Sequence, residues 1–391
     1  MYSYTTLGIG DEYGCFLWIF MILDNLKLLN FRNYDLQEIK FDKKMNILIG
    51  NNGEGKTNIL ESIIILALTK SFRNREDVNL IKFGKLKTKI QGKVKTGKTS
   101  KNLAIDITEG GKKLFINKKE IRRLSDYISN LNIIVFTPED LNIIKGAPSL
   151  RRNLLNIELS QLSKKYLNTY NEYNKILKTR NEYLKLLFTS SVADKKYLDI
   201  LTDKLIEKAV IIIMMRNNYI KKINESISNI YKEISKSDDL IVKYVPNVEF
   251  NEYTEEKIGE ELRNIYQKNY LKELNNKMTL YGPHRDDLEF YIKEKNLKFF
   301  SSQGQQRLAI ISYKLSEIAI FEEKLGTTPV LLFDDIFSEL DLKKRNRLLE
   351  FLNKDIQSII TTTDVKNINK KYLTQSTIFE IKNGNLIRKK V

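Results

Sequence analysis

The sequence predicts an α/β fold in which a mixed sheet with an antiparallel β layer is joined to an inserted helical lobe containing a short antiparallel helix pair. Short apolar runs that end in glycine or aspartate are typical of buried strands. Residues 87–121 contain strand-like runs around a Glu-Gly-Gly turn, which indicates antiparallel hairpins. Further along, apolar residues recur at spacings of three and four, the helical period. The 391 residues suffice for two lobes with separate cores.

The glycine-rich segment over residues 50–57 is the most informative part of the chain. It follows the strand-like run 45–49 and opens a helical segment at Asn58. Glycines in such a loop let consecutive backbone N–H groups turn toward a phosphate, Lys56 supplies a mobile cation, and the Thr57 hydroxyl suits Mg²⁺. The pattern predicts a P-loop that binds a nucleoside triphosphate, and we expect ATP with Mg²⁺. Its residues are Gly50, Asn51, Asn52, Gly53, Glu54, Gly55, Lys56 and Thr57.

A second apolar run, over residues 329–335, ends in two carboxylates. In this arrangement Asp334 can hold Mg²⁺ and Asp335 can polarise an attacking water as the general base. Many ATPases of this type carry the longer Glu at the second position. Because Asp is shorter, we expect slow hydrolysis, which would suit a switch.

The segment over residues 301–307 resembles the ABC signature and precedes a helix predicted over 308–322. In ABC ATPases the signature Ser and Gly grip the γ-phosphate held by the other subunit. The resemblance therefore implies that Ser302, Gly304 and Gln305 bind ATP of a partner copy. A Ser-x-Gly-Gln start is also found in ordinary capped helices, but its place about two dozen residues before the carboxylate strand favours the signature.

Two later segments complete the motif order. Residues 338–341 match the D-loop, and residues 358–364 form another predicted buried strand, without the usual switch histidine. Four motifs in this order indicate an ABC-type P-loop ATPase head. The gap of more than two hundred residues between P-loop and signature argues against a transporter subunit, which has a much shorter gap.

The inserted segment is predicted to be helical. One apolar run extends from Leu155 to Leu187 and a second from Leu198 to Ile234, with Thr-Ser-Ser-Val between them at 189–192. The pattern predicts two helices of roughly 50 Å each that pair antiparallel across a short turn. A compact helical lobe without a projecting arm is an equally open alternative.

Longer blocks of the chain resemble the bacterial RecF family. They are residues 29–34, 136–141, 145–152, 281–288 and 332–341, in addition to the P-loop. The resemblance runs from about Met21 to the C-terminus. It implies an ATP-dependent homodimer that binds DNA and acts with RecR and RecO to help load recombinase at single-strand gaps, in recombinational repair, replication and SOS induction. It also implies a slow, DNA-stimulated ATPase.

Two pairs of residues each allow two interpretations. Arg32 and Asn33 either approach the nucleotide, as the end of the first strand does in related ATPases, or form an exposed turn. Glu139 and Asp140 sit at the place of the Q-loop of other ABC ATPases, where no Gln is present. Either carboxylate could sense Mg²⁺ or water, but a helix N-cap after Thr137 and a proline is the simpler account.

His284 is the only histidine of the chain, so metal sites with several histidine ligands are excluded. It lies in the block 281–288, which is either a loop near the nucleotide or the DNA, or an Arg–Asp paired turn that leads into a strand over 288–292.

The charge balance agrees with a nucleic-acid partner. The chain has 66 basic and 49 acidic residues, a net charge of +17 and a pI near 9.4. Since no zinc spacing, recognition helix or aromatic RNA-binding pattern accompanies this charge, we expect sequence-tolerant, salt-sensitive contacts with the DNA backbone, in single-stranded, gapped or duplex DNA. Short basic clusters such as 112–113 and 122–123 are, singly, more simply explained as solvated surface.

The single cysteine, Cys15, fits a reducing compartment, and we expect a cytoplasmic protein at the nucleoid. The apolar segment over residues 15–23 has no preceding basic region and is too short for a membrane span. Four segments are predicted: an N-terminal extension (1–20), disordered or upstream of the native start; the N-terminal part of the ATPase lobe (21–150); the helical lobe (151–277); and the C-terminal part of the ATPase lobe (278–391).

Three functional classes share an ABC-type ATPase site. An ATP-gated DNA-repair protein is favoured by the RecF-like blocks. A nuclease with an ABC-like ATPase would need an additional acidic domain, and only residues 365–391 follow the last motif. A transporter or other ABC motor subunit is the third class, and the helical insertion and the basic charge balance speak against it. The alternative to a DNA-binding protein is an ABC-type ATPase switch that acts on a protein partner rather than DNA.

Overall fold

The structure is a computed structural model. It describes residues 19–73, 76–189, 194–236, 238–352, 356–365, 369–382 and 384–389. Most of the predicted N-terminal extension, residues 1–18, lies outside the described residues, whereas Ile19 and Phe20 begin the first strand.

The described residues divide into two compact units. Unit 1 takes those within Met1–Leu141, Asn229–Ser237 and Ser302–Val391, and unit 2 takes those within Asn142–Ser228 and Asp238–Ser301. Unit 1 contains the P-loop, the signature and the carboxylate strand. Unit 2 is mainly helical and continues through Ser301, whereas the sequence places the end of the helical lobe at residue 277.

The strands of the described chain, in order, are β1 (Ile19–Phe31), β2 (Tyr34–Lys40), β3 (Met45–Ile49), β4 (Lys87–Thr96), β5 (Thr99–Thr108), β6 (Gly111–Ile116), β7 (Lys119–Ile121), β8 (Ile133–Phe136), β9 (Leu240–Val245), β10 (Asp287–Ile292), β11 (Lys295–Asn296), β12 (Thr327–Thr328), β13 (Val330–Asp334), β14 (Ser358–Thr362), β15 (Thr377–Lys382) and β16 (Asn385–Lys389). They form three sheets, of which the small one, β11-β10-β9, belongs to unit 2.

The helices are α1 (Lys56–Leu68), α2 (Leu124–Tyr127), α3 (Leu141–Lys145), α4 (Pro148–Leu162), α5 (Lys164–Thr189), α6 (Lys195–Ser235), α7 (Glu255–Lys268), α8 (Tyr270–Asn276), α9 (Leu297–Phe300), α10 (Gln303–Leu325), α11 (Leu342–Leu352) and α12 (Lys370–Leu373). Short 3-10 turns occur at Asp77–Leu80, Pro138–Asp140 and Ile336–Glu339. Within the described chain, no helix combines the length and apolarity that a bilayer crossing requires.

The predicted antiparallel layer is confirmed. Its sheet has the order β12-β1-β4-β5-β6-β7, with β2 paired to β1. Thr108 of β5 pairs with Gly111 of β6, so the predicted turn closes a hairpin at the expected place. This layer, α1 and strands of the parallel sheet share an apolar core, to which Leu26, Ile63 and Ile105 belong.

The second sheet of unit 1 carries the P-loop. Its order is β16-β15-β3-β14-β13-β8, and all neighbouring pairs except β15 with β16 are parallel. Because β14 lies between β3 and β13, the carboxyl ends of these three strands meet at one edge. The P-loop after β3 and the two aspartates at the end of β13 are thereby brought to the same edge, although they are far apart in the chain.

The predicted antiparallel helix pair is also confirmed. Lys208 of α6 contacts Glu172 of α5 at 3.1 Å, and Arg180 of α5 donates to Thr202 of α6 at 2.9 Å, so residue numbers rise in one helix as they fall in the other. The first helix differs from the prediction. Extended backbone at Ser163 divides the apolar run into α4 and α5, since φ is −148° and ψ is 113° there. With 26 and 41 residues, α5 and α6 are about 39 and 61 Å long.

Candidate nucleotide-binding site

The loop between β3 and α1 has little room for a side chain at Gly50 and Gly55. Gly53 and Gly55 have φ values of 86° and 109°, in the left-handed region that favours glycine. A Cβ atom at Gly55 would lie 2.6 Å from the Tyr34 hydroxyl, and one at Gly50 would lie 2.7 Å from the Ile381 carbonyl oxygen. A loop of this kind fits close approach of backbone N–H groups to a phosphate.

Lys56 folds back across this loop. Its Nζ donates to the carbonyl oxygens of Gly50 at 2.7 Å and Asn51 at 2.9 Å. Burial lowers the pKa of Lys56, and the negative charges of Asp335, Glu54 and Asp334 oppose that effect. The ammonium group is thus held at the loop by carbonyl oxygens for which the oxygens of a bound phosphate could substitute.

The two predicted metal ligands lie together. Thr57 Oγ1 donates to Asp334 Oδ1 at 3.0 Å, and Thr361 Oγ1 of β14 donates to the same oxygen at 2.8 Å. Burial raises the pKa of Asp334, the two hydrogen bonds oppose it, and the charges of Glu139 and Asp335 raise it further. A buried carboxylate and a hydroxyl are oxygen ligands of the kind that Mg²⁺ prefers, so these residues fit that ion.

Asp335, the candidate general base, stands at a turn of left-handed backbone with φ of 50°. Its N–H donates to Thr361 Oγ1 at 2.9 Å. The Thr361 hydroxyl therefore fixes the backbone of Asp335 and the side chain of Asp334 together. Sequence reasoning did not single out Thr361. The signal that could have found it is its place at the end of a predicted parallel strand, where polar residues meet those of neighbouring strands.

The two carboxylates at the Q-loop position have different surroundings. Asp140 accepts from the Thr137 N–H at 2.9 Å and pairs with Lys314 at 2.6 Å, so it caps the turn as the simpler interpretation predicts. Glu139 is the one whose negative charge acts on Asp334.

Arg32 and Asn33 brace the P-loop and its helix. Arg32 makes two hydrogen bonds to the buried Glu61 of α1, at 2.8 and 3.0 Å. Asn33 Oδ1 accepts from Asn58 Nδ2 at 2.9 Å, and its Nδ2 lies 3.5 Å from the Glu54 carbonyl oxygen. The turn is therefore bonded to the P-loop and α1, and Asn33 is at the same time exposed to solvent.

The signature turn forms a helix start with both halves of a capping box. Ser302 Oγ accepts from the Gln305 N–H at 3.3 Å, and Gln305 Oε1 accepts from the Ser302 N–H at 2.9 Å. Ser302, Gly304 and Gln305 are exposed. Within the described chain, no hydrogen bond or ion pair joins these three residues to residues 50–57. On the same helix, Arg307 pairs with Glu339 of the D-loop turn and donates to its carbonyl oxygen at 2.9 Å.

His284 and its neighbours anchor the interior of unit 2. His284 Nδ1 lies 2.6 Å from the Tyr173 hydroxyl, and burial lowers the pKa of the ring to about 4. Asp286 pairs with Arg216 at 3.3 Å, and Asp287 pairs with Arg151 at 2.6 Å. The predicted Arg–Asp pairing is thus present, but its arginines come from α4 and α6 rather than from the turn itself.

Comparison with known proteins agrees with this architecture. Residues 22–385 match the family model described as the RecF/RecN/SMC N terminal domain. The DNA replication and repair protein RecF of Oceanobacillus iheyensis is 40% identical over 370 residues, which cover 93% of this chain and 99% of that protein. RecF of Bacillus subtilis is 38% identical, with 94% of this chain and all of that protein covered.

Two solved structures are similar to this chain in fold. The structure of the recombination mediator protein RecF-ATP in the RecFOR pathway matches with a TM-score of 0.88 and 32% identity, covering 97% of this chain and 100% of that one. The Smc head domain of Pyrococcus furiosus matches with a TM-score of 0.54 and 16% identity over 94% of this chain and 96% of that one, a likeness of fold alone. With this extent of identity along nearly its whole length, the chain belongs to the RecF family.

Proposed function

We propose that this chain is an ATP-dependent DNA-binding protein of recombinational repair and replication. It would act at single-strand gaps or single-strand/duplex junctions, help to load recombinase and support SOS induction. The observation that carries the nucleotide part is the contact of Thr57 with Asp334, which joins the P-loop to the carboxylate strand. The relative whose structure is named RecF-ATP supports ATP as the nucleotide.

ATP would be held by Gly50 to Thr57 of one copy, with Mg²⁺ on Thr57 and Asp334. Ser302, Gly304 and Gln305 of a second copy would close the site, which is supported by their exposure and by the helix N-terminus they form. The nucleotide would then act as interface glue in an ATP-dependent homodimer. Bound Mg²⁺ would neutralise phosphate charge, and Asp335 would accept a proton from the attacking water. Hydrolysis would be slow and stimulated by DNA, and it would reopen the dimer.

DNA as the partner is supported by the net charge of +17 and by the relatives named DNA replication and repair protein. RecR and RecO are the protein partners that the RecFOR pathway in the neighbour's description suggests. The place of action would be the cytoplasm, at the nucleoid.

The test is equilibrium binding of the purified chain to a gapped duplex at near-physiological salt, with and without ATP and Mg²⁺. We expect binding to tighten with ATP, and Lys56→Met to lose this response because the loop loses its cation. Lys178→Met is the matched control, since Lys178 is an exposed residue of α5. If the affinity for DNA is the same with and without ATP, or if no DNA is bound, the proposal is contradicted. Either result would favour an ATPase switch that acts on a protein partner.

A further inference from the structure

A short turn before β4 presents two apolar side chains to solvent. Residues 82–87 read Lys-Phe-Gly-Lys-Leu-Lys. Phe83 is 100% exposed and Leu86 is 83% exposed, the two highest values among the exposed large hydrophobic residues of the described chain. Single exposed apolar residues are ordinary, but a fully exposed aromatic ring beside a second exposed apolar residue and three lysines is not.

This turn is held in place by backbone hydrogen bonds. Lys82 N–H donates to the Asn30 carbonyl oxygen at 2.9 Å, and Lys85 N–H donates to that of Lys82 at 3.0 Å. An isolated β-bridge joins Phe31 to Ile81 immediately before the turn. The exposure of Phe83 is therefore a property of an anchored turn, so a partner would meet a ring whose backbone is already ordered.

The turn carries three positive charges, which one neighbouring carboxylate, that of Asp35, opposes in part. Lys82 is paired with Asp35 at 2.5 Å. Lys85 and Lys87 are exposed, and neither forms an ion pair with a described residue. There is no acidic residue in the segment 82–87. A ring flanked by two available ammonium groups has the chemistry of single-strand binding, in which an aromatic side chain stacks on a base and cations bind the adjacent phosphates.

We propose that this turn is a contact site for single-stranded DNA: Phe83 stacks on an unpaired base next to a duplex, while Lys85 and Lys87 bind neighbouring phosphates. This inference rests on the proposed DNA-binding function and gives it a residue-level contact. The turn is also linked to the nucleotide site. Lys82 Nζ donates to the Asn33 carbonyl oxygen at 3.3 Å, and the Asn33 side chain bonds to Asn58 of α1.

The experiment compares binding of ATP-loaded protein to a gapped duplex and to an uninterrupted duplex of equal length. Phe83→Ala is expected to weaken binding to the gapped duplex about ten-fold and to leave binding to the closed duplex nearly unchanged, because only the gap offers an unpaired base. Leu271→Ala is the control, as Leu271 is 68% exposed on α8. The double variant Lys85→Ala and Lys87→Ala is expected to have a shallower slope of log binding constant against log salt concentration. The change should correspond to the loss of about one to two phosphate contacts.

A conservative variant provides a second readout. The chain has one tryptophan, Trp18. In a Trp18→Phe background, Phe83→Trp is expected to keep the affinity for the gapped duplex and to show quenched indole fluorescence when the gap is bound. Wild-type binding with an unchanged Phe83→Ala variant would overturn the inference. So would binding of this turn to anionic lipid vesicles in place of DNA, whereas failure of the wild type to bind DNA would overturn the proposed function itself.

Discussion

At the residue scale, a few small contacts decide the geometry of the site. The hydroxyl of Thr361 joins the backbone N–H of Asp335 to the carboxylate of Asp334. Each hydrogen bond of this kind contributes about 1 kcal/mol. The two bonds together fix position, because one small side chain holds the carboxylate of Asp334 and the backbone of Asp335.

Gly55 is constrained by its surroundings as well as by its backbone, which predicts unequal effects of two alanine substitutions. Gly55→Ala would place a methyl group 2.6 Å from the Tyr34 hydroxyl at a φ of 109°. Gly53→Ala would meet only backbone strain, since no atom lies within 4 Å at a φ of 86°. We expect Gly53→Ala to cost about 1 kcal/mol and Gly55→Ala clearly more, with nucleotide affinity lost only in the latter. Nucleotide titration and thermal unfolding check this, and equal effects would count against the tight contact.

We expect the charge of Asp334 to lower the stability of the nucleotide-free protein while it supports nucleotide binding. Its folded-state pKa is raised, chiefly by burial, so the stability it contributes is complete at acid pH and is lost as pH rises through that pKa. Asp334→Asn should therefore raise the Tm of the nucleotide-free protein near neutral pH, on the order of 2 °C, with a smaller gain as pH falls. Its Mg²⁺-dependent ATP affinity should fall.

The matched control for this change is Asp341→Asn. A hydrogen bond from Lys344 lowers the pKa of Asp341. The small contribution of Asp341 to stability therefore has the opposite pH dependence and is lost as pH falls. Thermal unfolding across pH compares the two variants. A Tm of Asp334→Asn below that of the wild type at neutral pH would show that its hydrogen bonds outweigh the burial of its charge.

At the element scale, unit 2 is held by polar groups buried between helices. Arg180 of α5 donates to Thr202 of α6, pairs with Glu273 of α8 at 2.7 Å, and lies over the Tyr266 ring of α7. Arg180 and Glu273 are 2% and 0% exposed. Since both charges are out of water, the pair specifies how these helices pack more than it adds net stability.

Removing one partner of this pair should be expensive. Glu273→Gln leaves the guanidinium of Arg180 buried with a neutral partner, and we expect the free energy of unfolding to fall by about 3 kcal/mol. Glu172→Gln, which alters the partly exposed pair between Glu172 of α5 and Lys208 of α6, should change it by less than about 1 kcal/mol. Urea unfolding of both variants measures the difference. Similar urea midpoints of the two variants would mean that other groups stabilise the buried charge of Arg180.

At the scale of the whole molecule, the proposed site is split between copies of the chain. Its signature turn is exposed and is not bonded to the P-loop of the same chain within the described residues. Ion pairing between Arg307 and Glu339 ties this turn to the D-loop, so both would move as one surface. Association through ATP would link dimer stability to nucleotide concentration.

The dimer is tested by sedimentation with and without ATP. We expect the wild type to dimerise with ATP, and Ser302→Arg to stay monomeric while binding ATP with at most a several-fold change, because the bulky cation blocks the partner's site and leaves its own P-loop intact. Ser100→Arg, at an exposed serine of β5, is the control for added charge. If Ser302→Arg still dimerises with ATP, residues 301–307 are not the signature. If the wild type forms the same oligomer with and without ATP, dimerisation is not controlled by the nucleotide.

The sequence by itself determined the local elements and their types. Strands β3 and β13, the P-loop and the hairpin at Gly111 were predictable because apolar period and glycine chemistry act over a few neighbouring residues. The Mg²⁺ pair of Thr57 and Asp334 could be proposed from motif type alone, and its role remains a prediction.

Only the tertiary structure decided which side chains meet. It placed β14 between β3 and β13, so that Thr361 bonds both aspartate positions. It also made Asp140 a cap, while the charge of Glu139 acts on Asp334. It also divided one periodic run at Ser163 and left Phe83 in solvent. The physical reason is that strand order, register and burial depend on contacts between residues hundreds of positions apart, which local pattern does not encode.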